Sequence, residues 1–67
     1  KPGYIFEFKV AKNEEELKSY AEEGFEQIEE KKYDIELINR GVTEIIYIGL
    51  AFYKKKIRIK YEKIQKN

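Results

Sequence analysis

The stretch Glu44-Ile45-Ile46-Tyr47-Ile48-Gly49-Leu50-Ala51-Phe52-Tyr53 decides how this chain folds. It is almost continuously apolar and rich in β-branched and aromatic residues, so it reads as a strand. A strand with no polar face is one covered on both sides, the usual state in a parallel sheet. Gly49 within it marks either a close backbone approach or a bulge. Downstream, Ile57, Ile59 and Tyr61 alternate with Lys56, Arg58, Lys60 and Glu62, the pattern of a half-exposed strand over 56–62. The residues near Tyr53 to Lys56 join the two strands as a hairpin, with no Asn-Gly signal to set the turn type. The tail 63–67 is expected to fray.

Upstream, Gly41 stands where a helix should stop. It is the expected left-handed C′ residue of a short helix over 33–40, with Val42 placed to touch Leu37 in a Schellman-type ending. A longer helix over 14–31 precedes it. Asn13 is a good N-cap, Glu16 three residues on completes a capping-box pattern, and Glu14, Glu15 and Glu16 suit the positive end of the dipole. Leu17, Tyr20, Ala21, Gly24, Phe25 and Ile28 recur at the spacing of one buried stripe. Before the helix, Tyr4-Ile5-Phe6-Glu7-Phe8-Lys9-Val10 reads as a strand over 4–10. Its Tyr4, Phe6, Phe8 and Val10 share one apolar face, and Ile5, Glu7 and Lys9 share the other. More than thirty helical residues between the first two strands suit a right-handed parallel crossover. The expected architecture is α/β (α+β): strand–helix–strand–strand, a three-stranded mixed sheet with helices on one face. The Ile5, Glu7 and Lys9 face is expected to be the uncovered one.

Composition limits the chemistry. Sixty-seven residues allow one domain, and the whole of 1–67 reads as a single partial domain of marginal stability. Cysteine and histidine are absent, which excludes disulfides, thiol and histidine catalysis, and the usual zinc ligands. No membrane-spanning run and no signal-like segment are present, and the lack of cysteine fits a cytoplasmic protein. The start at Lys1, without methionine, fits a processed or trimmed piece of a larger protein. Net charge is +1, yet Glu14 to Glu30 holds eight acids and one base, while Lys54 to Lys66 holds seven bases and one acid. The molecule therefore reads as electrostatically two-ended. The basic stretch is either a ribbon that meets phosphates or a lysine-guarded edge strand.

One constellation can carry chemistry. Glu-x-Lys occurs four times, at Glu7/Lys9, Glu16/Lys18, Glu29/Lys31 and Glu30/Lys32. Only Glu7/Lys9 falls on a strand, where residues two apart project from the same face. There a carboxylate is a hard ligand for Mg²⁺, and a neighbouring ammonium can hold water or stabilise charge on a phosphate. The plainer reading is an exposed strand face.

The succession Tyr-Ile-Phe-Glu-Phe-Lys-Val, an acidic helix containing Gln27-Ile28, then Tyr33, Ile-Tyr-Ile-Gly-Leu-Ala-Phe-Tyr and Lys-Ile-Arg-Ile resembles the PD-(D/E)XK nuclease superfamily from Tyr4 to about Glu62. The nearest likeness is to the nuclease-like domain that follows an AAA-type ATPase-like domain in bacterial and archaeal proteins. The resemblance implies a β-α-β-β portion of a restriction-endonuclease-like fold and metal-dependent hydrolysis of nucleic acid. It implies that Glu7 and the Phe8 backbone carbonyl ligate Mg²⁺ or Mn²⁺, and that Lys9 is the catalytic lysine. By the same resemblance Gln27 matches the helix glutamine that many members aim at the site, and Tyr33 the tyrosine that often follows it. At about 100° per residue Gln27 falls at the border of the apolar stripe, beside Tyr20 and Lys31, so a boundary polar role is equally open to it. For Tyr33 the alternative is packing at the bend between helices.

One departure matters. The superfamily places an aspartate on a strand before the Glu-x-Lys strand; only Lys1-Pro2-Gly3 precede it here, and the single aspartate, Asp34, lies elsewhere. The chain alone is therefore expected to be inactive. Two further readings remain: a non-catalytic nucleic-acid- or protein-binding module on the same fold, and a small nucleic-acid-binding domain using Lys54, Lys55, Lys56, Arg58 and Lys60. The expected partners are nucleic acid and the remainder of the parent domain, or a second copy of the chain across the uncovered sheet face.

Overall fold

A computed structural model describes residues 2–65, which form β1 (Pro2–Val10), a 3₁₀ turn (Glu14–Glu16), α1 (Leu17–Lys31), α2 (Asp34–Asn39), β2 (Glu44–Tyr53) and β3 (Lys56–Gln65). The sheet is three-stranded and mixed, in the order β1-β2-β3, with β1 parallel and β3 antiparallel to the central β2. Helices lie on one face. None of the described helices is long and apolar enough to cross a membrane.

Local sequence sets the element ends. The Glu16 N–H donates to Asn13 Oδ1 at 3.0 Å, which satisfies one of the unpaired amides of the first turn. Glu16 does not return the bond to the Asn13 backbone, as a full capping box would. It accepts instead from Asn13 Nδ2, at 3.4 Å, and the opening turn is 3₁₀, so α1 begins at Leu17. At the end of α2, Val42 N–H donates to the Leu37 carbonyl at 3.1 Å and Gly41 N–H to the Ile38 carbonyl at 2.9 Å. With Gly41 at φ 87°, these two bonds are the Schellman pair. The hairpin turns on Lys54-Lys55, with Lys54 at φ 54°. Strand β3 runs past the expected end at residue 62: Lys63, Ile64 and Gln65 continue to pair with Ile46, Ile45 and Glu44, so the fraying expected from residue 63 is not found there. The rest of that expectation, Lys66 and Asn67, lies outside the described residues, as does Lys1.

The core lies between α1 and the sheet. Ile5, Phe25, Ile28, Ile45 and Tyr47 form one buried cluster, and Ala11, Leu17, Ala21 and Ala51 a second. Between them the two backbones nearly touch. A Cβ added at Gly49 would lie 2.3 Å from the Ala21 carbonyl oxygen and 2.5 Å from Phe25 N, and one at Gly24 would lie 3.6 Å from Gly49 Cα. Both ladders run through Gly49 without a break, so the glycine marks a close approach and no bulge.

This contact corrects the expected facing of the sheet. Residues paired in register share a face. Ile5, Glu7 and Lys9 therefore stand with Tyr47, Gly49 and Ala51, on the side covered by α1. The uncovered face carries Tyr4, Phe6, Phe8 and Val10. Apolarity alone points the other way. The deciding property is size: both faces of β2 are apolar, but only the face with Gly49 and Ala51 is low enough to seat the small residues Ala21 and Gly24 of α1. Once β2 is so oriented, register carries Glu7 and Lys9 under the helix.

The expected two-ended charge is also not what the fold presents. On β3, Lys56, Arg58, Lys60 and Glu62 pair with Tyr53, Ala51, Gly49 and Tyr47, so they stand on the helix side, beside the acidic α1. Lys56 Nζ donates to Glu14 Oε2, and Lys60 Nζ stands 5.2 Å from the centre of the Phe25 ring. Acidic and basic segments distant in sequence thus face each other.

Candidate functional site

Glu7 and Lys9 project from β1 toward α1 and are partly buried. Gly24 lies directly above Glu7: a Cβ there would meet the Glu7 carbonyl oxygen at 3.3 Å and its Cγ at 3.6 Å. The glycine therefore leaves the Glu7 side chain its space between strand and helix. Lys9 Nζ lies 3.5 Å from Glu23 Oε1, with the lysine side chain 22% exposed and the glutamate 54% exposed. The helix flank above this end of β1 thus carries Glu23. Gln27, one turn further along α1, is partly buried on the same ridge as Glu23. Glu7, Lys9, Glu23 and Gln27 belong to the α1–β1 side of the molecule, opposite the side where α1 meets β3.

The strand that bears the pair is an edge strand, since among the described residues β1 is hydrogen-bonded only to β2. The Ala11 N–H donates to the Phe52 carbonyl at 2.8 Å, which points the backbone groups of odd-numbered residues toward β2. Alternation then directs the Phe8 carbonyl to the open edge. The Glu7 carboxylate and the Phe8 carbonyl are hard oxygen donors on one strand. Such donors suit Mg²⁺ or Mn²⁺, which accept one or two carboxylates and keep several waters. They do not make a complete cage: among the described residues no group of three or more His, Cys, Asp or Glu could hold a metal.

The remaining sequence-predicted residues lie elsewhere. Tyr33 sits past the end of α1, 44% exposed, with Lys31 Nζ 5.9 Å from its ring centre. Lys54 and Lys55 form the hairpin tip, and Lys54 Nζ stands 5.4 Å from the Tyr53 ring centre. Arg58 lies near Lys18 and Glu22 in a shallow hollow between α1 and β3, and Lys60 borders the same hollow. Arg58 and Lys60 are thus on the far side of α1 from Lys9. Asp34 is buried at the start of α2, where its Oδ2 accepts from the Tyr47 hydroxyl at 2.8 Å. Burial first, then this hydrogen bond and the Asp34 charge, push the Tyr47 hydroxyl up to about 12. That pair closes the core beneath α2.

Glu23 is the residue that sequence reasoning missed. Its signal was available in the helical period, because it lies four residues before Gln27 and so on the same ridge. In an acidic helix with eight similar side chains from Glu14 to Glu30, nothing in the sequence singles it out.

A comparison with protein-family models matches residues 1–62 to the model described as the PD-(D/E)XK nuclease superfamily. Neither the search of curated proteins nor that of solved structures gives a match. The matched span contains all of β1, α1, α2 and β2 and most of β3, together with Glu7, Phe8, Lys9 and Gln27. The chain belongs to the PD-(D/E)XK nuclease superfamily.

Proposed function

We propose that this chain furnishes the Glu-x-Lys half of a metal-dependent phosphodiester-hydrolysing centre and is inactive by itself. The observation that carries the proposal is the placement of Glu7 and Lys9 on one face of an edge strand, with the Phe8 carbonyl directed to the free edge. A further strand paired to that edge would bring the missing carboxylate beside Glu7. Glu7 and the Phe8 carbonyl would hold Mg²⁺ or Mn²⁺, which supplies Lewis-acid activation of the phosphate. Lys9 then contributes its ammonium to the charge that develops on the phosphoryl oxygens. Its ion pair with Glu23 keeps the side chain extended toward the helix flank when no phosphate is present. Gln27, with one acceptor and two donors, can orient water or a phosphate oxygen on the same flank. The substrate class is nucleic acid, and the site would work as part of a longer polypeptide of the ATPase-associated kind.

The test is cleavage of plasmid and single-stranded DNA, with Mn²⁺, by the chain joined to the strand that supplies the second carboxylate. Cleavage lost on Lys9→Ala is the expected result. No cleavage from a folded protein of that kind would overturn the proposal. A second reading, a binding module with the site inherited but unused, is favoured by one observation: Lys9 already has an ion-pair partner in Glu23. That reading expects Glu7→Ala to leave the intact protein's behaviour unchanged.

A further inference from the structure

The fold sorts the cations of the basic stretch that follows Tyr53. Lys56 Nζ donates to Glu14 Oε2, and Lys63 Nζ lies 3.4 Å from Glu44 Oε2. Lys60 reaches over the Phe25 ring into a hollow that Glu22, Glu26, Glu29 and Glu62 also line. Arg58 shares its hollow with Glu22 and Lys18. Each of these four cations has a carboxylate beside it, and a phosphate would have to compete with that carboxylate.

Lys54 and Lys55 are the exception. Both are exposed at the hairpin tip, and among the described residues neither makes an ion pair. Lys54, at φ 54°, forms the turn, and its Nζ stands 5.4 Å from the centre of the Tyr53 ring. That contact steadies the ammonium without neutralising it. Glu14 also lines the hollow at this tip, but it is already the acceptor for Lys56.

Register decides which end of the molecule this is. Lys9 pairs with Ala51 and Val10 with Phe52, so the tip lies just beyond the Lys9 end of β1. Tyr53 packs on the cluster of Ala11, Leu17, Ala21 and Ala51, so the Lys54 ammonium at its ring stands on the helix side of the sheet, as Lys9 does. Lys12 leaves β1 at this same end, exposed and, among the described residues, without an ion pair. From Ala51 to Lys54 is three residues, about 10 Å along the strand, the length of about three nucleotides in a stacked strand.

We propose that Lys54 and Lys55, with Lys12, contact the phosphates of a nucleic-acid strand that extends from Glu7 and Lys9 past this end of the sheet. The proposal rests on the reading of Glu7 and Lys9 as a site for nucleic acid, and it adds the direction in which the strand leaves that site. Contacts of this kind fix the position of a strand and read no bases. The cations of β3 itself serve the contact with α1 instead.

The test is binding of a fluorescent oligothymidylate by the chain, followed by anisotropy over a salt series. EDTA is present throughout, so binding is read apart from hydrolysis. The tip variant carries Lys54→Gly and Lys55→Ser, and Arg58→Ser is the comparison. Glycine suits φ 54°, so the turn survives the first change. Each phosphate contact on a single strand contributes about 0.7 to the slope of log affinity against log salt, so the tip variant should lose about 1.4. Between roughly 50 and 200 mM salt its affinity should then fall about sevenfold less than that of the wild type. Arg58→Ser should leave the slope unchanged. Should circular dichroism show the tip variant unfolded, Lys12→Ser replaces it, with an expected loss of about 0.7. A slope that falls as much with Arg58→Ser as with the tip variant overturns the proposal. A folded wild-type chain with no affinity for the oligonucleotide at low salt overturns it too. Binding to phosphatidylserine vesicles without binding to the oligonucleotide does the same, and makes the tip a membrane-surface contact. None of these outcomes decides the chemistry of Glu7 and Lys9, which stands or falls by cleavage.

Discussion

Replacing Gly49 with alanine tests the contact on which the candidate site rests. The new methyl group would sit 2.3 Å from the Ala21 carbonyl oxygen, 2.5 Å from Phe25 N and 3.0 Å from Phe25 Cα. All three are backbone atoms, so no flexible side chain can swing aside. An ordinary contact begins near 3.4 Å, so α1 must lift from β2 by about 1 Å. A radial gap of that size forfeits about a quarter to a half of each dispersion contact. The loss falls on Ala21, Phe25 and Ile28, which are 1–4% exposed. Overpacking in cores typically costs about 1–3 kcal/mol, and an immovable backbone places Gly49→Ala at or beyond the upper end, about 3 kcal/mol. A chain of 67 residues has a total stability of about 3–10 kcal/mol, so much of the fold's margin is removed. The assay is urea unfolding followed by far-ultraviolet circular dichroism. With a slope near 1 kcal/mol per molar for so small a domain, the midpoint should fall by about 3 M. A fall of less than about 1 M, with unchanged slope, would refute the reasoning, because the helix would then have room that the geometry denies it.

Three other outcomes follow from the same structure. Gly24→Ala meets the Glu7 carbonyl oxygen at 3.3 Å and the Glu7 Cγ and Gly49 Cα each at 3.6 Å, mostly ordinary contacts, so the helix-propensity gain of about 1 kcal/mol should roughly cancel the crowding. Its urea midpoint should stay within about 1 M of wild type, well above that of Gly49→Ala. Tyr47, with its hydroxyl pushed from 10.0 up to about 12 in the folded state, contributes stability that is fully present below pH 10 and is lost as pH rises through 12. Tyr47→Phe should therefore flatten that part of the alkaline unfolding profile while costing about 1–3 kcal/mol near neutral pH, read by the same urea titration. Lys32, the C-cap of α1, sits at φ 53° and ψ 42°, a left-handed conformation that suits glycine. Lys32→Gly should raise stability by roughly 0.5–1 kcal/mol, measured as an upward shift of the thermal midpoint.

Local features were legible in the sequence because local chemistry controls them. The Asn13 cap, the Gly41 stop and the Leu17–Ile28 stripe each depend on residues within a turn or two of one another. The nearly continuous apolar run from Glu44 to Tyr53, rich in β-branched and aromatic residues, argued for a central strand. The Glu7/Lys9 pair was legible for the same reason, since strand alternation places residues two apart on one face whatever the fold. The family likeness seen in the order of these motifs agrees with the match over residues 1–62.

Tertiary structure alone decided which way the sheet faces. Tyr4, Phe6, Phe8 and Val10 form the more apolar face of β1, and a rule of burial by hydrophobicity assigns them to the core. Packing geometry overrides it: Gly49 and Ala51 open a hollow on one face of β2, Ala21 and Gly24 of α1 fill it, and the register of β1 follows. The choice of Glu23 as the partner of Lys9, and of the Tyr47–Asp34 hydrogen bond, came with it. These contacts join residues 13 or 14 positions apart on different elements, and no local pattern encodes them. The sequence by itself determined the elements and the chemical groups available to a site, but not the start of α1 or the end of β3. The three-dimensional fold determined which of those groups meet, because a close backbone contact between helix and strand depends on the size of residues that only folding brings together.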